Sequence, residues 1–164
     1  MESAVYLGVS TPKWASLFNI PMQLFHISVD HSLQVIIKLL LALATWLACL
    51  YAHKKLDRLT AVIYLFSFSG TYHLLFNPRS VNTDYIILGT IMAVWFTAAL
   101  YIWRDRCLAI TVGLISMGVL FALDISRLLV PDSTSWVNPL MACIFAVVLV
   151  INLKNNRSFQ TVQH

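Results

Sequence analysis

LQVIIKLLLALATWLACLYA, residues 33–52, carries a single charged side chain, Lys38, in an otherwise apolar run. Roughly 20 apolar residues in helical form cross the ~30 Å hydrocarbon core of a bilayer, and this run reaches that length. Four more blocks repeat the pattern: Leu59–Phe76, Tyr85–Trp103, Cys107–Val130 and Trp136–Leu153. None of them alternates polar and apolar residues as barrel strands do. In lipid every backbone N–H and C=O must be paired within its own segment or in a closed barrel, so the blocks are expected to be helices. The expected fold is all-α: a polytopic integral membrane bundle of five transmembrane helices, preceded by a short interfacial amphipathic helix.

The connections His53–Arg58, Asn77–Asp84, Arg104–Arg106 and Pro131–Ser135 are turns and leave no room for a soluble catalytic domain. Residues 1–164 therefore form one membrane domain. Within it, 1–31 is an extracytoplasmic segment, 33–153 the bundle and 154–164 a cytoplasmic tail. A composition of 59% hydrophobic and 11% charged residues lies well outside that of a soluble domain.

Basic residues in short loops are retained in the cytoplasm. Lys54, Lys55, Arg58, Arg104, Arg106, Lys154 and Arg157 follow the first, third and fifth blocks and share one side. Lys13 and Arg79 lie in the opposite loops, Lys38 and Arg127 within spans, and Glu2, Asp30, Asp84 and Asp132 supply acid there. This distribution predicts the N-terminus outside and the C-terminus in the cytoplasm, in a plasma membrane or a bacterial inner membrane. The net charge of +4 comes from the turns, where it favours anionic lipid; nucleic acid is not an expected partner.

Glu2 stands where a secretory leader has its basic region, and no long apolar stretch follows, so no cleaved leader is expected. Asn19, Gln23, His26 and Asp30 are spaced four, three and four apart, a polar stripe along one helix face at the outer interface. Asn19 suits an N-cap and Pro21 a first turn. The alternative of a sixth span, Trp14–Val29, is short and contains that proline.

The stretch ALDISRLL, residues 122–129, places Asp124 and Arg127 near the outer end of the fourth block, about 9 and 5 Å from Val130. Lys38 and His73 fall at similar depth. An intramembrane charge costs about 2.5–3.5 kcal/mol at a helix centre, so Lys38, His73, Asp124 and Arg127 form the candidate charged cluster. Asp124 with Arg127 can neutralise each other at i, i+3. Asp124 is also the one acid inside another span that could pair with Lys38, and a Lys38–Asp124 bridge is expected on that ground.

Small residues repeat every four positions at Ala44, Ala48 and Ala52, at Gly89, Ala93 and Thr97, at Gly118, Ala122 and Ser126, and at Ala142 and Ala146. Such spacing lets helices approach closely. Cys49, Cys107 and Cys143 are isolated, and His26, His31 and His73 lack ligand spacing, so neither a metal site nor a cofactor is expected.

Three function classes follow. The first is an interaction or assembly subunit that associates with itself or with other membrane proteins. The second is a channel, lysis-type pore or small ion-coupled transporter. Its lining would be the outer charged cluster, or Thr45, Ser67, Ser69, Thr71 and Thr97 between protomers. The third is a histidine-based membrane enzyme or redox subunit. The first accords best with so little extramembrane mass and so many small-residue seams.

Overall fold

The computed structural model describes residues 17–25, 27–77, 82–129 and 136–155. His26 and the extreme termini lie outside the described residues, as do the loops 78–81 and 130–135. The described chain is helical, with no strand: α1 Asn19–Phe25, α2 His31–Lys55, α3 Arg58–Phe76, a 3₁₀ turn Asn82–Tyr85, α4 Ile86–Tyr101, α5 Arg106–Leu120, α6 Ala122–Leu129 and α7 Val137–Asn155. Three of these, α2, α3 and α7, are long and apolar enough to cross a membrane, while α4 and α5 are shorter apolar helices.

Aspartates start three of the helices. Asp30 accepts from the Ser32 backbone N–H at 3.0 Å, Asp57 from that of Thr60 at 3.0 Å, and Asp105 from that of Leu108 at 3.0 Å. Each satisfies one of the donors that a first helical turn leaves open. The last turn of α2 carries His53, Lys54 and Lys55, suited to the negative end of the helix dipole. Between α2 and α3 only Leu56 and Asp57 intervene, both extended, so the chain reverses within two residues. The α4–α5 reversal is also tight, with backbone bonds from Trp103 to Ala98 and from Asp105 to Ala99. It places Arg104 at a φ of 53°, in the left-handed region.

The central helix is α3, which packs on α2, α4 and α7; α5 closes the group against α4 and α7, and α6 rests on α7. Neighbours run antiparallel: Tyr64 near the start of α3 bonds Asn152 near the end of α7, and Tyr72 near the end of α3 bonds the Lys38 carbonyl near the start of α2. Close approach depends on small residues at two points. A Cβ on Gly70 would lie 2.6 Å from Ile91 Cδ1, and one on Gly118 2.7 Å from Met141 Sδ.

Two expected helices differ from the structure. The block Tyr85–Trp103 is helical only over Ile86–Tyr101, because Asn82–Tyr85 winds as a 3₁₀ turn and Ile102 and Trp103 enter the reversal. The block Cys107–Val130 is divided at Phe121 (φ −96°, ψ 15°), whose N–H is shared between the Met117 and Val119 carbonyls. Gly113, Ser116 and Gly118 weaken the helix before the break, and Ser116 Oγ donates back to the Val112 carbonyl at 2.9 Å, which bends helices. Asp124 and Arg127 thus sit in the first and last turns of the eight-residue α6, each at the end its charge favours. The sixth span Trp14–Val29 does not form over the described residues: α1 has seven residues and 27–30 is not helical.

The N-terminal segment closes one end of the bundle. Leu17 donates to the Leu75 carbonyl at 3.1 Å, the Phe18 and Phe76 rings are 6.1 Å apart, and Leu24 packs on Ala122, Trp136 and Val137. The opposite end gathers the exposed Lys54, Lys55, Arg58, Arg104, Arg106 and Lys154.

The Asp57 cap has a pH signature. Partial burial pushes its carboxyl up, but the hydrogen bonds from Thr60 outweigh this and hold it below the ordinary carboxylate value. Because the folded value lies below the unfolded one near ~3.9, the cap stabilises fully above about pH 5 and its contribution is lost as pH falls through the folded value. Asp57→Ala is expected to cost about 1 kcal/mol in unfolding of the protein at pH 7 and to remove part of the acid sensitivity. Asp57→Asn keeps most of the stability at pH 7.

Candidate functional site

The four ionisable residues expected at one level are not joined to one another. Lys38 is half-buried, and its Nζ lies over the Phe18 ring, 5.5 Å from the centroid, a cation–π contact worth about 0.5–1 kcal/mol or more. His73, Asp124 and Arg127 are exposed. No hydrogen bond or ion pair joins any two of the four. Lys38 belongs to α2, whose principal neighbour is α3, while Asp124 belongs to α6, which packs on α5 and α7. The Lys38–Asp124 bridge is therefore not formed, and the aromatic ring brought in by the N-terminal segment takes the place of the acid.

Of the polar stripe, Asn19 and Gln23 lie on α1, His26 is outside the described residues, and Asp30 is exposed as the α2 cap. Hydrogen bonds from the Ser32 backbone hold the Asp30 carboxyl below its usual range. The hydroxyls proposed as a pore lining do not share a surface. Ser67 and Thr71 are buried, Thr45 is half-buried, and Ser69 and Thr97 are exposed.

The interior holds a different polar constellation. Trp95 is fully buried, and its Nε1–H donates to Ser67 Oγ at 2.6 Å; Ser67 in turn donates to the Ile63 carbonyl at 2.6 Å. The indole meets Tyr64 edge-on at 4.9 Å, Trp103 at 4.9 Å and Phe145 edge-on at 6.0 Å. Tyr64 Oη donates to Asn152 Oδ1 at 2.5 Å, and Trp103 Nε1 to Thr60 Oγ1 at 3.4 Å. One aromatic core thus ties α3, α4 and α7 to the α4–α5 turn, with each polar tip given a neutral partner. No charge enters it. These residues escape a search for ionisable groups; their sequence signal is Trp95 within an apolar block, at the level of the hydroxyl cluster around Ser67.

A cleft of about 770 Å³ lies between α4 and α5 near the start of α7. Tyr85 and Asn138 stand at one end of it and Phe96 and Gly113 at the other. Gly89 and Ala93, two members of the small-residue repeat on α4, line it and are exposed, as is Thr97 beyond them; a Cβ on Gly89 would meet nothing within 4 Å. The repeat on α5 and α6 behaves differently, with Ala122 and Ser126 buried and Gly118 against Met141 of α7. None of Lys38, His73, Asp124 and Arg127 lines the cleft.

Two outcomes are expected from stability measurements. Ser67→Ala strands the buried Trp95 N–H and costs about 1–3 kcal/mol, whereas added to Trp95→Phe it costs about 1 kcal/mol less, a coupling that a double-mutant cycle reads directly. Lys38→Asp and Asp124→Lys combine additively to within about 0.5 kcal/mol, since the two side chains do not meet.

No protein-family model, curated protein or solved structure matches the chain, so the reading of its role rests on its own geometry.

Proposed function

We propose that the protein is an integral membrane protein of five crossings that serves as an interaction or assembly subunit, associating with copies of itself or with other membrane proteins. The crossings are α2, α3, the 3₁₀ turn with α4, α5 with α6, and α7. At 1.5 Å per residue α4 spans about 24 Å, and its preceding turn adds the remainder of a hydrocarbon core. The basic end faces the cytoplasm, by the retention of Lys and Arg on that side, in a plasma membrane or bacterial inner membrane.

The observation that carries the subunit reading is the condition of α2. It is 25 residues long, yet Ala52 is its one buried residue, and it touches the bundle mainly along α3. Ile36, Leu39, Leu40, Leu43, Leu47 and Leu50 form an exposed apolar stripe on its far side. A crossing helix held on one side is the natural surface for a neighbouring protein, because helix association in lipid depends on packing contacts that a lone protomer leaves unused.

In a mild detergent the native mass of the tagged protein is expected to correspond to a fixed oligomer or a fixed-stoichiometry complex. Leu43→Trp, which stays apolar and spares insertion, should release single chains, and a Lys55→Cys variant should take an impermeant thiol label only from the cytoplasmic side. A monodisperse wild-type monomer would remove the subunit reading, and labelling of residue 55 from outside would reverse the topology.

A further inference from the structure

We propose that the cleft between α4 and α5 is a binding site for the acyl tail of an outer-leaflet lipid, an inference that rests on the membrane reading above.

The first support is length. From Ile86 to Phe96 the cleft descends ten residues along α4, about 15 Å, which is half of a ~30 Å hydrocarbon core and so the depth of one leaflet. The second is its chemical gradient. Tyr85 and Asn138, both buried and both polar, stand at the end that faces the outer surface in the proposed topology, and Met92, Ala93, Phe96, Gly113 and Met117 form the deeper wall. Thr90 and Ser116 also line it, but their hydroxyls donate to the Ile86 and Val112 carbonyls of their own helices, so they present little unsatisfied polarity to a ligand. Polar at the headgroup level and apolar below it is the arrangement of an amphiphile.

The third support is shape. A volume of about 770 Å³ spread along that length is room enough for an extended alkyl chain. The volume also falls within the roughly 300–1,000 Å³ of ordinary small-molecule sites. Entry is from the side: Gly89, Ala93, Met117 and Leu120 are all exposed along the opening. The missing side chain of Gly89 keeps the upper part of the opening clear, as the absence of any atom within 4 Å of an added Cβ shows.

The test uses the full chain reconstituted in phosphatidylcholine vesicles containing a phosphatidylcholine with a diazirine on its acyl chain, with adducts mapped by peptide mass spectrometry. Adducts on α4 and α5 are expected to exceed those on the exposed stripe of α2. Gly89→Phe, whose Cβ meets no neighbour and whose ring would occupy the cleft, should reduce them several-fold and leave the α2 adducts unchanged; Ala93→Leu is the milder second variant. Equal labelling of α2 and the cleft, with no response to either variant, would overturn the site while leaving the membrane reading intact. Efficient disulfide formation between copies of Gly89→Cys would also overturn it, assigning the cleft to a second chain. Absence of adducts on α2 and cleft alike would overturn the membrane reading and this site with it.

Discussion

Trp95 is the side chain on which the arrangement of the bundle most depends. An indole is large, apolar over most of its surface and polar at one atom, so burying it imposes two demands at once: a ring-shaped space and an acceptor for its N–H. Ser67 on α3 meets the second, and Tyr64, Trp103 and Phe145 on three different segments meet the first. These requirements fix how far α3, α4 and α7 can slide along one another. A shift of one helical turn would take Ser67 out of reach and leave a buried donor unmade, at a cost of about 1–3 kcal/mol.

The same economy explains why, among the described residues, the interior contains hydroxyls, indoles and an amide but no charge. Removing an ion from water costs several kcal/mol even where a partner is present, whereas a neutral donor and acceptor can satisfy each other at modest cost. Lys38 illustrates the alternative. It stays half-buried with its ammonium against the Phe18 ring, a partner that carries no charge to be desolvated.

The apolar blocks made the helical class and the positions of the helices readable, because a long apolar run bounded by turns admits few alternatives. The three aspartate caps were visible as charges, but their role depends on which residue begins each helix, and that is settled by where the short non-helical stretches before α2, α3 and α5 end. The break at Phe121 was not legible: the residues on both sides are apolar, and hydropathy carries no record of a shared N–H. Spacing of small residues identified helix faces but not what they meet. Gly118 and Ala122 turned inward to α7 and Ser126 is buried, while Gly89, Ala93 and Thr97 turned outward. Depth alone placed Lys38, His73, Asp124 and Arg127 at one level; it could not say that Lys38 and Asp124 belong to helices with different neighbours, since the angular order of the helices is a property of packing. The Trp95–Ser67 bond was missed for the related reason that neither residue is unusual until the two helices are placed side by side.

The N-terminal segment has a consequence for the order in which the molecule is completed. Leu17 and Phe18 dock on Leu75 and Phe76, and Leu24 docks beside Trp136, so a stretch that is made before its partners finds its seats only after α3 and the start of α7 exist. Its contacts have large sequence separation, and the loop-closure entropy they involve is not offset until the rest of the bundle stands. Residues 17–25 therefore dock in two stages set by the chain, Leu17 and Phe18 once α3 stands and Leu24 once the start of α7 has joined Ala122.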